Sequence, residues 1–453
     1  MFYEFMSPIS PELREKLENE NTELADIIMD DSCLRAFRGN IDTLILYLRK
    51  HIQELLNLAL TNDEDESPNL STKAFTLLST PNEQIFKSLF DDNIFFTAVD
   101  KVFSQENVDL IVVNRLAVIT QTCCINYPEN IRQCNFIPRF LNYCRYRSVY
   151  EMFKSFLTTE DKKEVQTFLQ EENFPDKLLE LIKNTEDPLE NNPDSPIVQN
   201  LVQLFRLIPL IKDCEILAPS VTSKNAIKIL SRKFTPDIQE VLNKQWEAIA
   251  SIVTKENVKD IEELSDLFLS MLGSDLAEFT PHIESIIKII GQIIANDNAY
   301  AQKIVDWGIG EKLAHIIDRF PRQTLAHLTI TNFALGAIDV PNFPSLVDSL
   351  LKPLYVIVAK SFEDGQPAEL RGFGFNFHDS VSKKMKEKDL QPIPPELCFK
   401  EPILAKVKEL TNVIQNPYGG DLPAPAADEA DELGNLTPDQ LMALLRFITG
   451  GRR

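Results

Sequence analysis

Residues 283–338 constrain the fold most, because three consecutive segments place their apolar residues at helical spacing. The first segment carries five isoleucines three or four positions apart, at Ile283, Ile286, Ile287, Ile290 and Ile294. At 3.6 residues per turn they form one apolar face. The second segment begins near Tyr300, bends at Gly308–Gly310 and ends before Pro321. The third, Thr324–Ile338, is apolar almost all round, which is typical of a helix buried between neighbours.

Similar units recur along the chain. In each, a turn-forming Asn or Gly precedes an apolar anchor that pairs with a second apolar residue four positions later. The anchors are Ile94, Phe136, Phe174, Ala226 and Ile309. Recurrence at about 40–47 residues in a helical chain is typical of HEAT and armadillo repeats. We therefore predict an all-α, HEAT/armadillo-like right-handed helical solenoid over residues 1–415, with no sheet beyond incidental pairs.

The repeat pattern weakens after Ile338, where Pro341, Pro344 and Pro353 are expected to shorten the next helices. Residues 363–400 contain several Gly and Pro residues and are predicted to be irregular. Residues 416–435 are rich in Pro, Ala, Asp and Glu without apolar periodicity, which predicts a disordered acidic linker. Residues 436–453 are predicted to form a short C-terminal amphipathic helix.

Composition excludes several classes of partner and location. The chain is 44% hydrophobic and 25% charged, a balance typical of a soluble globular protein. Its net charge of −22 argues against nucleic acids and anionic membranes as partners. We expect no signal peptide, and no apolar run reaches the ~18 residues of a membrane span. Seven Cys without a zinc-type pair indicate reduced thiols. We expect a cytoplasmic location, with a nuclear one as the alternative.

Three features could carry chemistry, and each has a simpler explanation. His378-Asp379 is a dipeptide of metal-dependent phosphohydrolases, but the remaining His residues supply no further ligands, so we expect a solvated loop. Gly372-Phe373-Gly374 lacks the strand and the Lys of a phosphate-binding loop, so we expect a flexible turn. Four cysteines lie close together in the sequence, at Cys123, Cys124, Cys134 and Cys144. Their spacing suits packing in an apolar core better than a zinc site. We therefore predict no enzyme activity and no catalytic, cofactor-binding or metal-binding residues.

Large aromatic residues are the candidates for a protein–protein contact. Trp307 lies at the break of the second segment, and Phe90, Phe95 and Phe96 lie in a Phe-rich stretch. Aromatic side chains often anchor interfaces. For each of these residues, packing in the core is the competing interpretation.

The sequence resembles the SAPS proteins, the regulatory subunits of protein phosphatase 6. The resemblance begins at Met1–Phe5 and extends over roughly residues 1–380. It includes Leu17–Glu20, Thr22–Leu24, Met29–Asp31, Leu34, Asn40, Leu44, Tyr47–Leu48, Glu54–Leu56, Phe136, Phe174, Ile309, Ala301–Ile338 and Arg371–Val381. Members of that family typically carry a long acidic, Ser-rich tail, and these 453 residues contain none, so we expect no tail-dependent partners.

This resemblance implies a helical domain without catalytic residues of its own. It further implies a scaffold that binds a serine/threonine phosphatase catalytic subunit of the phosphatase 6 type and directs it to substrates. The alternative is an armadillo-type transport or trafficking adaptor, which usually carries a ladder of Trp and Asn; this chain has only Trp246 and Trp307. A hydrolase within residues 363–400 is a third hypothesis, opposed by its missing metal ligands.

Overall fold

A computed structural model describes residues 9–62, 68–105, 107–158, 163–187, 192–235, 237–273, 276–340, 344–388 and 390, with positions 405, 408, 409 and 412. Every regular element of these residues is an α-helix or a 3-10 helix, and none is a strand. The predicted all-α class is therefore confirmed. The predicted linker at 416–435 and the predicted helix at 436–453 lie outside the described residues.

The chain divides into two compact units, Met1–Pro353 and Leu354–Arg453. The N-terminal half contains α1 (Pro11–Glu18), α2 (Leu24–Met29), α3 (Cys33–Arg38), α4 (Asp42–Lys50), α5 (Ile52–Ala59), α6 (Pro68–Leu78), α7 (Glu83–Phe90), α8 (Ile94–Phe103), α9 (Leu110–Asn126), α10 (Arg147–Thr158), α11 (Lys163–Glu171), α12 (Phe174–Asn184) and α13 (Pro196–Asp213). It is followed by α14 (Ala218–Thr222), α15 (Lys224–Leu230), α16 (Gln239–Ser251), α17 (Val258–Glu262), α18 (Ser265–Gly273), α19 (Pro281–Asn296), α20 (Asn298–Asp306), α21 (Ile309–Arg319), α22 (Thr324–Ile338), α23 (Pro344–Ser361) and α24 (Ala368–Glu387). Short 3-10 helices cover Asp91–Asn93, Pro128–Gln133 and Ile137–Tyr143.

Side-chain caps and prolines start several helices. The Ser10 hydroxyl accepts the amide N–H of Leu13 at 3.0 Å, and Pro11 occupies the first helical position of α1. The Asn82 side chain caps α7 in the same way, accepting the amide of Ile85 at 3.2 Å. These caps satisfy amides that have no partner within their own helix.

Proline does not shorten α23, which corrects the expectation for Pro353. This residue lies inside a continuous helix of 18 residues, and Pro209 lies inside α13. Proline removes one backbone hydrogen bond and favours a kink, but burial of the flanking apolar side chains compensates for that loss. Leu350, Leu351 and Leu354, on either side of Pro353 in the sequence, are all buried.

The segment at residues 283–338 forms the predicted helices α19, α20, α21 and α22, with the break at Gly308. Gly308 has φ = 61°, in the left-handed region that favours glycine. The expectation for α22 is only partly right. Leu325 and Leu328 are 37% and 57% exposed, so this helix leaves one apolar edge uncovered.

The longest helices of the C-terminal half of the first unit recur at a regular interval. α13, α16, α19 and α22 begin at residues 196, 239, 281 and 324, that is, 42 or 43 residues apart. Each packs against the next one. The interval falls within the recurrence of about 40–47 residues on which the sequence analysis bases its repeats.

The predicted anchors share a backbone feature at three of five positions. Asn93, Asn173 and Gly308 adopt left-handed conformations directly before the anchors Ile94, Phe174 and Ile309. Each of these anchors begins a helix. A left-handed residue turns the chain sharply between two helices, and Asn and Gly tolerate that conformation best.

The other two anchors, Phe136 and Ala226, lack a left-handed residue before them. One further left-handed turn before a helix was not predicted. The preceding residues Asn135 and Asn225 are not left-handed, and Asn225 already lies inside α15. Asn40, with φ = 52°, precedes Ile41 and α4, which makes it a further instance that the sequence pattern did not single out.

Polar contacts join residues that lie one repeat apart in the chain. Arg139 contacts Asp100 at 2.9 Å, and Lys224 contacts Glu263 at 2.6 Å; each pair is separated by 39 positions. The amide of His282 donates to Asn243 Oδ1 at 3.1 Å, again across 39 positions. A nearly constant separation indicates that corresponding elements of successive units lie side by side.

The prediction of an irregular segment at residues 363–400 is wrong for most of the part that the structure describes. α24 covers Ala368–Glu387, and Pro367 directly precedes it. Its glycines misled the prediction because one of them serves packing: a Cβ at Gly374 would lie 2.0 Å from Ser361 Oγ. Glycine therefore allows α24 to approach the end of α23 closely.

Candidate partner-binding surface

The three phenylalanines predicted as candidate partner contacts, Phe90, Phe95 and Phe96, divide between core and surface. Phe90 and Phe95 meet edge to face with ring centroids 5.7 Å apart, and Phe95 meets Phe136 at 5.5 Å. Phe95 is 1% exposed, so it belongs to the core and is no partner contact in this conformation. Phe90 is half-buried. Phe96 is 40% exposed and remains the surface candidate of this stretch.

Trp307 is half-buried in the turn directly after α20. Its ring meets Tyr300 edge to face at 5.3 Å and 85°, and Tyr300 is only 1% exposed. The Tyr300 hydroxyl lies 2.8 Å from Ser265 Oγ. These contacts fix the indole while leaving part of it accessible, a combination suited to an interface anchor. They do not connect Trp307 with the phenylalanine stretch.

A groove between α19 and α22 is a surface that the sequence analysis missed. It has a cavity volume of about 420 Å³. Apolar side chains and two glycines form much of its lining, at Ile287, Gly291, Ala295, Leu328, Phe333 and Gly336. A Cβ at Gly291 would lie 3.3 Å from the Phe333 ring, whereas one at Gly336 would meet nothing within 4 Å. Because Gly336 has no side chain, the groove stays open along α22 at this position.

The rim of this groove is polar. Lys288 pairs with Glu284 at 2.6 Å along α19, and Gln292, Thr329 and Asn332 also line the site. An apolar lining with a polar rim is the usual anatomy of a site that receives apolar side chains from a protein partner. The signal in the sequence is the apolar character of α22 on all sides, from which the sequence analysis predicts complete burial.

The residues considered for chemistry lie in the core or within helices. His378 is half-buried on α24, and its Nδ1 lies 3.2 Å from the Tyr355 hydroxyl, so the predicted solvated loop is wrong. Burial lowers the pKa of His378. Gly372-Phe373-Gly374 also lies in α24, which corrects the predicted flexible turn.

The thiols are packed inside, as predicted. Cys123, Cys124, Cys134 and Cys144 are all fully buried. Burial raises the pKa of Cys144, and hydrogen bonding to Cys123 together with burial raises that of Cys124. These two thiols therefore stay protonated at neutral pH. Among the described residues, no group of three His, Cys, Asp or Glu side chains is placed to hold a metal ion.

Comparisons with known proteins leave the family open. No family model and no curated protein sequence matches the chain. Among solved structures, the chain is similar to the crystal structure of an engineered protein from the Northeast Structural Genomics Consortium, with 14% identity and a TM-score of 0.42 over 83% of this chain and 91% of that one. A TM-score at this level does not assign a shared fold. In the parts of the chain that are described, no helix combines the length and apolarity that crossing a membrane requires.

Proposed function

We propose that the chain is a non-catalytic regulatory scaffold that binds a phosphatase 6-type serine/threonine phosphatase catalytic subunit and directs it to substrates. In this proposal its helices stack as a HEAT/armadillo-like right-handed solenoid over residues 1–415. The carrying observation is the 42- or 43-residue interval of α13, α16, α19 and α22, each packed on the next. Stacked helix pairs present long, rigid surfaces suited to a protein partner.

The identity of the partner rests on the resemblance to SAPS proteins. That resemblance covers roughly residues 1–380, which include the groove between α19 and α22. The groove would receive apolar side chains of the catalytic subunit around Leu328, and Trp307 and Phe96 are further contact candidates. Metal ions for catalysis would come with the partner. A cytoplasmic location is part of the proposal.

Size exclusion of a purified pair tests the proposal. The chain and the folded, active catalytic subunit are mixed at micromolar concentration, and we expect them to co-elute as one complex. Leu328→Asp should weaken the complex at least about tenfold, because a carboxylate would lose its hydration in an apolar groove. Leu46→Asp is the matched control, since Leu46 is 54% exposed on α4 and is not one of the proposed contact residues.

Separate elution of the two wild-type proteins would contradict the phosphatase proposal. If the two proteins co-elute and Leu328→Asp does not change this, the phosphatase partner is supported. The groove would then not belong to the contact surface. Circular dichroism of each variant verifies that the helices are intact.

A further inference from the structure

Two segments that pack together are basic in a strongly acidic chain. The chain has a net charge of −22. Residues 130–150 and 196–212 nevertheless contain no Asp or Glu. Their basic residues are Arg132, Arg139, Arg145, Arg147, Arg206 and Lys212.

α13 packs against α10 and against the residues that precede α10, so the two segments lie side by side. Asn200 Oδ1 accepts the backbone N–H of Arg145 at 3.0 Å, and Asn200 Nδ2 donates to the carbonyl of Leu141 at 3.0 Å. The Arg206 guanidinium lies 4.5 Å over the Tyr150 ring. Arg147 is three positions before Tyr150 on α10, so the two side chains share a face of that helix.

Three of these arginines have no acidic counterpart among the described residues. Arg132 pairs with Glu171 at 3.0 Å and Arg139 with Asp100 at 2.9 Å. Arg145, Arg147 and Arg206 form no such ion pair within the described part of the chain. The single carboxylate of the α10 sequence, Glu151, faces Lys154 instead, at 3.7 Å.

Tyrosines hold two of these arginines, Arg145 and Arg206, in place. Arg145 donates to the Tyr146 hydroxyl at 2.7 Å and lies 4.5 Å over its ring. Tyr146 stacks on Tyr143 at 6.3 Å and 17°, and Tyr143 stacks on Phe103 at 5.2 Å and 16°. Tyr143, Arg145 and Tyr146 are half-exposed. Ordered tyrosines and arginines lose little conformational entropy on binding and are enriched in protein interfaces.

We propose that this Arg–Tyr surface, formed by Tyr143, Arg145, Tyr146, Arg147 and Arg206, with the buried Tyr150 supporting Arg206 from below, binds an acidic peptide segment of a partner protein. A guanidinium binds a carboxylate through two parallel hydrogen bonds, and the tyrosine rings offer flat contact area beside it. Nucleic acid is the less favoured occupant, because the remaining surface of the chain would repel a polyanion along its length. The proposal does not depend on a phosphatase partner.

An array of immobilised peptides tests the proposal with the full chain. Each peptide carries one Phe or Leu and from none to several Asp or Glu residues among uncharged positions. We expect binding of the wild type to rise with the number of acidic residues. Arg147→Glu combined with Arg206→Glu should reduce that binding at least about tenfold, since both changes place like charges opposite the peptide.

The matched control combines Arg35→Glu with Arg322→Glu. Both residues are exposed, and the change in net charge is the same, so binding should stay within about twofold of the wild type. Arg147→Gln with Arg206→Gln serves if the charge reversal prevents folding, and it should also reduce binding. Circular dichroism verifies the fold of every variant.

Three results would overturn the proposal. The first is binding that does not depend on acidic residues in the peptide. The second is an equal loss of binding in the Arg147/Arg206 and Arg35/Arg322 variants. The third is a single-stranded oligonucleotide that binds more tightly than every acidic peptide at the same salt concentration.

Discussion

Gly310 shows how one missing side chain can decide the approach of two helices. It lies in the first turn of α21, and a Cβ at this position would lie 2.1 Å from the carbonyl oxygen of Ser349 in α23. Backbone cannot move aside as a flexible side chain can. The close approach of α21 and α23 therefore requires glycine here, in contrast to Gly336 in α22, where a Cβ would meet nothing within 4 Å.

Replacing these two glycines with alanine should affect stability differently. Gly310→Ala should destabilise the protein by about 1–3 kcal/mol because the helices must separate. Gly336→Ala should be neutral or stabilise it by up to about 1 kcal/mol, because alanine favours helix and nothing obstructs its methyl group. Urea denaturation of both variants measures the difference. Equal midpoints would show that α21 and α23 do not pack this closely.

The anchors Phe174 and Ile309 are a second test at the residue scale. Both are at most 1% exposed, and Phe174 packs on Phe153 with ring centroids 5.0 Å apart. Truncation of either to alanine should cost about 2–5 kcal/mol through lost burial and an internal cavity. Phe96→Ala is the control, since Phe96 is 40% exposed. Unchanged melting temperatures for both anchor variants would contradict the prediction that Phe174 and Ile309 occupy equivalent buried sites in different repeats.

Residue patterns in the sequence predicted these anchors but not the close contacts of glycine. An apolar residue after Asn or Gly at helical spacing is a local signal, so Phe174 and Ile309 could be assigned to the core. The fit of Gly310 against Ser349, and of Gly374 against Ser361, depends on residues that are distant in the chain. Glycine at residues 372 and 374 therefore indicated a turn, although both lie inside α24.

At the scale of elements, arginines donate to the ends of helices that lie 47–56 positions earlier in the chain. Arg232 donates to the carbonyls of Lys183 at 2.8 Å and Thr185 at 2.7 Å at the end of α12. Arg115 donates in the same way to the carbonyls of Ala59 and Thr61, each at 3.0 Å, after α5. The last carbonyls of a helix have no partner within it. Each arginine therefore stabilises a helix end and connects it to a later segment of the chain.

Arg232→Ala should destabilise the protein by about 1–3 kcal/mol, because the carbonyls at the end of α12 lose a charged donor. Arg232→Lys should recover only part of the loss, since an ammonium group lacks the planar array of donors that serves several carbonyls together. Arg322→Ala, at an exposed site, is the control. Hydrogen exchange at residues 181–187 measures the effect locally. Unaltered exchange there would mean that Arg232 does not hold this end.

For α22 the sequence predicted the bounds of the helix correctly, but it did not predict that one apolar edge is exposed. The apolar periodicity of α22 predicted the helix from Thr324 to Ile338, and those are its bounds. Periodicity measures how apolar a helix is, but not how much of it neighbouring helices cover. Leu328 is exposed beside α19, and the groove it lines depends on the separation of two helices, which no local pattern contains.

For the whole molecule, the proposed solenoid predicts how far a local defect spreads. Ile286 in α19 is fully buried, and α19 packs on α16 and α22. Contacts in a solenoid are limited to neighbouring repeats, so stability is a sum of local terms. Ile286→Ala should therefore cost about 2–5 kcal/mol, concentrated in α16, α19 and α22.

Hydrogen exchange followed by mass spectrometry tests this expectation. Below the global unfolding transition, exchange in Ile286→Ala should accelerate in peptides from residues 239–338 and stay at the wild-type rate in α4, α5 and α7. The corresponding change at Leu55, which is fully buried in α5, should give the reverse pattern. A protein with one cooperative core would instead transmit either defect to every helix, because its elements open together. Uniform acceleration in both variants would therefore contradict a solenoid and, with it, the structural basis of the proposed scaffold.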